Sequence, residues 1–279
     1  MSPSRRRDAV RMLQDRLGLS ERRACQITGQ HRSTQRRADP VVGADEDLRV
    51  RLRRLSGEHP RWGYRTAWGV LRQEGVVVNR KKIQRVWREE GLRVPPRRRK
   101  RRRVGVSGAQ ERYLRATRPG EVWALDFQFD VTTDGRMLKL LHIVDEHTRE
   151  ALEILVERNI DADMVVAVLD RLTARHGAPV FIRMDNGPEM TANAIRDWCR
   201  ASGSNTFYIE PGSPWENPFV ESFGSRVRDE VLAVEQFTTL LEAKVVIEDW
   251  RVMYNTVRPH SSLDWMPRSL YADACRRGQ

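Results

Sequence analysis

The chain has 279 residues, 39% of them hydrophobic, with 8 Trp, 7 Phe and 5 Tyr; it is long enough for one large domain or two to three small ones, and wholesale disorder is excluded. No apolar run approaches the roughly 20 residues of a membrane span, and no apolar stretch follows the opening M-S-P-S-R-R-R-D, which argues against a membrane protein or a secretory signal. The formal net charge of +12 is unevenly spread: residues 1–120 hold 33 basic and 12 acidic side chains, residues 121–279 hold 17 and 26.

The basic part attracts phosphate backbones, whereas the acidic part calls for metal-binding carboxylates or a solvated surface. Residues 1–42 read as short helices. Val10, Leu13 and Leu17 share one face of the first, and Gly18 stops it. Ser20 caps a second helix, Gly29 turns the chain, and H-R-S-T-Q-R-R follows as a third. This is a helix-turn-helix outline, equally compatible with a plain helical bundle.

Residues 43–96 carry a stronger helix-turn-helix pattern. One helix runs from about Tyr64 to Gln73 with Ala67, Trp68 and Leu71 inward, and Gly75 ends it. Asn79 caps a second that buries Ile83, Val86 and Trp87 before Gly91. Its other face holds Arg80, Lys81, Gln84, Arg85 and Arg88: long cations and one amide, suited to a major groove. The bland alternative is a solvated basic face. Residues 97–118 form a linker opened by seven consecutive cations, Arg97 to Arg103.

Residues 119–279 change character. E-V-W-A-L-D-F-Q-F-D-V, M-L-K-L-L-H-I-V-D and E-A-L-E-I-L-V-E read as successive strands, with D-G-R at 134–136 as a hairpin turn. A helix from about Asp161 to Arg175, the short strand V-F-I-R-M-D, a helix T-A-N-A-I-R-D-W-C-R and a strand N-T-F-Y-I-E follow. Asn217 then caps a helix whose first residue is Pro218. The order β-β-β-α-β-α-β-α predicts an α/β fold with a mixed sheet flanked by helices.

Three carboxylates sit where a metal could use them. Asp126 lies mid-strand between apolar neighbours, Asp185 ends the fourth strand before a Gly turn, and Glu221 stands in the first turns of the last helix. Converging acids raise each other's pKa, and a divalent cation removes that penalty. Each acid alone also has a structural reading: Asp126 as an arginine's partner, Asp185 as a turn residue, Glu221 as a charge favoured at a helix start. The case rests on the three together and on the 35 residues that separate Asp185 from Glu221. Asp130, Asp145 and Glu189 are read as surface or turn residues.

The stretches W-G-Y-R, V-N-R-K-K-I-Q-R-V-W-R-E-E-G-L, W-A-L-D-F, I-V-D-E-H-T-R-E-A-L, M-D-N-G-P-E, P-W-E-N-P-F-V-E-S-F-G-S-R-V-R-D-E and Y-N-T-V-R-P-H-S-S-L, spread over residues 58–271, resemble the orfB-type insertion-sequence transposases of the retroviral-integrase-like superfamily. The resemblance implies a ribonuclease-H-like catalytic core at 119–279 with a C-terminal helical extension. It implies Asp126, Asp185 and Glu221 as catalytic, metal-binding acids for Mg²⁺ or Mn²⁺, as two ions. It further implies DNA integration: metal-dependent cleavage at element ends, 3′-hydroxyl strand transfer and a circular intermediate in which one end is first joined to the other. Arg228, seven positions after Glu221, falls where the family carries a basic residue that reaches the DNA end; its alternative is an ion pair with Asp229 or Glu230. Arg258 and His260 in R-P-H-S-S-L fall at a functional position near the core, or cap a helix end.

The implied partners are insertion-sequence ends and target DNA, a homo-oligomer on that DNA, and an orfA-type partner or fusion. Retroviral integrases carry a His/Cys zinc domain. Here no His pairs with a Cys at zinc spacing, so no zinc is expected. Three widely spaced cysteines, Cys25, Cys199 and Cys275, suit a reducing cytoplasm, and the resemblance implies a bacterial one, associated with the nucleoid.

Overall fold

The computed structural model describes residues 3–36, 45–92, 94, 115–184, 193–208 and 217–278; residues 97–114 of the linker, Asp185 and Glu189 lie outside the described residues. The chain forms two compact units, Met1–Val50 and Arg51–Gln279.

In the first unit, α1 (Pro3–Leu17), α2 (Glu21–Thr28) and α3 (Arg32–Arg36) pack around Val10, Ala24 and Cys25. Ser20 caps α2, its hydroxyl accepting from Arg23 N. Glu21 binds Arg32 and Arg36 at 2.9 and 3.0 Å, and those bonds hold its carboxyl below the usual range. Leu17, expected inward, is exposed; Val10 and Leu13 alone meet the core, because the helix ends before another turn can cover its last residue.

In the second unit, α4 (Glu46–Glu58, whose first residues lie before the division) buries Leu52 and Leu55. The sequence pattern gives no expectation of a helix there. Then α5 (Tyr64–Gln73) and α6 (Arg80–Glu89) form a helical pair that buries Ala67, Leu71, Ile83, Val86 and Trp87. Trp68 is only half-buried, because its Nε1 reaches out to donate to Val78 O at 3.0 Å. Asn79 caps α6 by accepting from Lys81 N at 2.8 Å.

The sheet comprises β1 (Val122–Val131), β2 (Met137–Asp145), β3 (Ala151–Glu157), β4 (Phe181–Met184) and β5 (Asn205–Tyr208), in spatial order β3-β2-β1-β4-β5. The first three strands pair antiparallel, and β4 and β5 join parallel, which is the ribonuclease-H-like arrangement. Side chains alternate across a strand. Trp123 and Leu125 therefore pack with α7 (Ala162–His176) and α8 (Asn193–Ser202), while Ala124 packs with α9 (Pro218–Val227) and α10 (Leu240–Thr256). A π-helical turn, Arg228–Leu232, follows α9, and α11 (Arg268–Arg277) ends the described fold. Contrary to expectation, Asp145 is the last residue of β2 and is buried, and Asp130 is half-buried within β1. The Asp145 Oδ1 accepts from the amides of His147 and Thr148 and its Oδ2 from Gly120 N, so the acid replaces water with backbone donors.

Candidate active site on the β1–α9 face

The face of β1 that carries Asp126 follows from its neighbours. Ala124 belongs to the core shared with α9. Gln128 lies under the same helix, its Oε1 3.4 Å from the position of a Cβ on Gly224. Asp126, between them with a strand period of two, shares that face and is half-buried.

The helix α9 is held on this face by Val220, Phe223 and Val227, spaced to bury one stripe. Gly224 faces this pair: a Cβ there would stand 3.4 Å from Gln128 Oε1 and 3.7 Å from His142, at ordinary contact distance. Asn217 precedes the helix but makes no side-chain cap, contrary to the expectation from sequence. Its Nδ2 instead donates to Leu125 O at 3.2 Å, a buried strand carbonyl with more to lose by remaining unpaired. The first turn of α9 is thereby tied to the residue preceding Asp126. Glu221, whose amide donates to Asn217 O at 3.2 Å, stands one turn along. The fold thus sets the helix of Glu221 against the strand of Asp126, 95 positions apart in sequence, with Asp126 half-buried and Glu221 exposed.

Asp185 lies outside the described residues. β4 ends at Met184, and its parallel register pairs Ala124 with Arg183, each two residues before an acid.

Beneath this face runs a polar network that sequence reasoning passed over. His142 is wholly buried opposite Asp126 in the β1–β2 register, with its Nε2 2.7 Å from the Gln128 amide and its ring edge-on to Phe223. Burial pushes its pKa down to about 3, so it is neutral and adds no cation beside the acids. With the Gln128 amide turned so that its oxygen faces outward, Arg228 donates to that oxygen at 3.3 Å. For His142 the signal was present in L-L-H-I-V, a polar residue whose neighbours two away, Leu140 and Val144, are buried apolar residues; Gln128, flanked two away by Asp126 and Asp130, gave no such signal.

Arg228 is exposed and helical (φ −58°, ψ −46°), at the junction of α9 and the π turn. Glu230 binds Arg258 instead, through contacts of 2.6–3.1 Å, and accepts from Trp62 Nε1 at 3.2 Å. Arg258 is therefore a buried latch between the end of α10 and the π turn. His260 bonds Ser262 Oγ at 2.8 Å and makes no side-chain cap. On α6, Arg80, Lys81, Gln84, Arg85 and Arg88 are all exposed, on the side opposite Ile83 and Trp87. Arg85 is engaged with Glu89 at 2.8 Å.

Models of the integrase core domain match residues 116–214 and 202–267, and a model of an HTH-like domain matches residues 44–101. An insertion element IS476 protein of Xanthomonas euvesicatoria is 39% identical over 279 residues, all of this chain and 80% of the relative. An insertion element IS407 protein of Burkholderia multivorans is 39% identical over 260 residues, 93% of each chain. Transposase InsD of IS2 from Escherichia coli is 28% identical over 242 residues, 79% of this chain and 76% of the relative. The HTLV-2 integrase catalytic core domain in complex with magnesium superposes with a TM-score of 0.47 at 14% identity, over 57% of this chain and 99% of that one, too loosely for residue-by-residue comparison. On the extent and identity of the first two matches, together with the integrase core domain, this chain belongs to the insertion-sequence transposases and is a DNA transposase.

Proposed function

We propose that Asp126, Asp185 and Glu221 form the catalytic centre, cutting a phosphodiester at each element end and joining the resulting 3′-hydroxyl to a second phosphodiester. The observation that carries this is the Asn217–Leu125 hydrogen bond, which ties the helix bearing Glu221 to the strand bearing Asp126. Support for Asp185 is its place in the sequence: it directly follows Met184, the last residue of the strand paired with β1.

Three carboxylates and no sulfur or imidazole make a hard oxygen donor set, which fits Mg²⁺ or Mn²⁺, and two ions suit both oxygens of an in-line transfer. When bound, such a cation offsets charge on the phosphoryl oxygens and acidifies a water or hydroxyl. The chain's own part is positioning. β1 holds Asp126 in a rigid ladder, and the buried stripe of α9 holds Glu221. Arg228, on Glu221's side of the helix, pairs with phosphate near the cut. The first transfer consumes water and leaves a 3′-hydroxyl; in the second, that hydroxyl displaces the leaving oxygen of a new phosphodiester. No covalent protein–DNA bond is needed.

Arg80, Lys81, Gln84, Arg85 and Arg88 on α6 hold element-end DNA, with a helical domain at 43–96, a linker at 97–118, the core at 119–279 and the helices of 1–42 as an added DNA contact. Two ends must be joined, so the active form is an oligomer on DNA in the bacterial cytoplasm, alone or with an orfA-type partner. No helix of the described residues is long and apolar enough to cross a membrane.

The test is a strand-transfer assay with labelled element ends, run with Mg²⁺ and with EDTA. Joined products that vanish with EDTA are expected. Cleavage without joining would make the chain a nuclease, and binding without either would make it a regulator.

A further inference from the structure

A cleft adjoins α9. It has a volume of about 430 Å³ and opens between the start of α5, the outer side of α9 and the R-P-H-S-S-L loop. Its walls carry Arg61 and Arg65 from W-G-Y-R and its flank, Ser222 and Arg226 from α9, and His260 and Ser261 from the loop.

The cleft is built rather than incidental. Gly69 of α5 packs so tightly on the loop that a Cβ there would stand 2.7 Å from Pro259 and 3.0 Å from Trp265. Gln73 Nε2 donates to Trp265 O at 2.9 Å, and Trp68 meets Trp265 edge-on. Trp62 joins the Glu230–Arg258 pair from the same side. Below, Arg268 is 1% exposed; its Nη1 donates to the carbonyls of Tyr254 and Arg258, and its guanidinium lies 3.5 Å from the Tyr254 ring centroid. Arg258 is neutralised by Glu230, and Asp229 is the acid among the lining residues. The remaining balance is cationic. His260 registers it: burial, with Arg268, Arg258, Arg149 and Arg226 nearby, pushes its pKa down to about 3. Gly63 begins α5 with no side-chain acceptor, so the positive end of that helix also faces an incoming anion.

We propose that this cleft seats the phosphodiester backbone of the DNA strand next to the bond that is cut, and that the helical pair α5–α6 supplies its outer wall in cis. The inference rests on Glu221 as a catalytic acid: Ser222, in the cleft wall, is its immediate neighbour in sequence. Guanidinium forks and hydroxyls match phosphate oxygens, and such pairings carry no base information. The helical pair then has two duties, one on the exposed face of α6 and one at the active site.

The test compares wild type with the double variant Arg61→Ala/Arg65→Ala on a duplex of the element end. One methylphosphonate, a neutral phosphate, is scanned through the nucleotides around the scissile bond. In wild type, neutral phosphates within a few nucleotides of that bond weaken binding; in the double variant the same positions have no effect. The variant binds 10- to 100-fold more weakly, with a salt slope shallower by about 0.9 for each phosphate left without its arginine. An unchanged slope and an unchanged methylphosphonate profile overturn the proposal. Should circular dichroism show the double variant unfolded, Arg65→Gln, at an exposed position, is read in the same way, with Arg65→Lys expected to restore the slope. A wild type that joins no ends, and in which Asp185→Asn changes nothing, rejects the catalytic reading instead, so the two failures are distinct.

Discussion

Trp123 and Leu125 look toward α7 and α8, and Ala124, Asp126 and Gln128 toward α9; the two sides of β1 obey different rules. The first side is apolar through Trp123, Leu125, Leu141 and Ile143, with Lys139 closing its end where Nζ donates to Ile160 O at 3.1 Å. The second mixes Ala124, Leu140 and Phe223 with Gln128 and His142. Near it, Arg183 and Glu146 form a pair at 3.3 Å, both side chains fully buried. An apolar side contributes stability by excluding water. A side with buried polar groups has given up part of that contribution, and such groups persist where a site needs orientation. The face on which folding is less favoured is the one where the chemistry is proposed.

Substitutions on the two faces break the comparison in opposite ways. Asp126→Asn, Asp185→Asn and Glu221→Gln, taken singly, should each lower strand joining at least about 1000-fold while end binding stays within a few-fold, measured on labelled ends. Trp123→Ala, on the apolar face, should cost about 3–5 kcal/mol in denaturant unfolding. The molecules that remain folded should join ends at nearly the wild-type rate.

A pH titration sharpens it. Burial raises the Glu146 carboxyl from 4.5 to about 7, Arg183 and Arg149 opposing the shift and Asp145 adding to it. The folded chain therefore keeps a proton that the unfolded chain releases between these values. The stability tied to this group is full below pH 4.5 and is lost as pH rises through about 7. Glu146→Gln should remove that slope, changing the difference from wild type by up to about 3 kcal/mol between pH 4 and 8. Equal slopes in the two proteins would remove Glu146 from the account. A smaller effect belongs to Asn217→Ala, which strands the Leu125 carbonyl. It should cost about 1–3 kcal/mol and slow joining more than that loss of folded protein explains. A rate that simply follows stability would make Asn217 a structural tie with no part in placing Glu221.

The strands were legible because β1, β2 and β3 are rich in aromatic and branched residues and end in turns such as D-G-R; the helix ends were legible at Ser20 and Asn79, where a side chain caps locally. Local chemistry reads locally. α4 escaped notice because Arg49, Arg51, Arg53 and Arg54 mask the stripe of Leu52 and Leu55, and a long basic segment reads as solvated chain. The acids stood out as isolated charges in apolar surroundings. Their supports did not: Asn217 looked like a cap, and its partner Leu125 is 92 positions away. Nothing in the sequence pairs Glu230 with Arg258 and Trp62, which stand 28 and 168 positions from it. A hydrogen bond across such separations has no periodicity to betray it.

The most direct test of the central claim is Mn²⁺ bound per chain, read by electron paramagnetic resonance on the complex with an element-end duplex. Wild type should hold Mn²⁺ tightly, and Asp126→Asn, Asp185→Asn and Glu221→Gln should each weaken that binding at unchanged DNA occupancy. Undiminished Mn²⁺ binding in any one of the three would contradict a shared carboxylate centre.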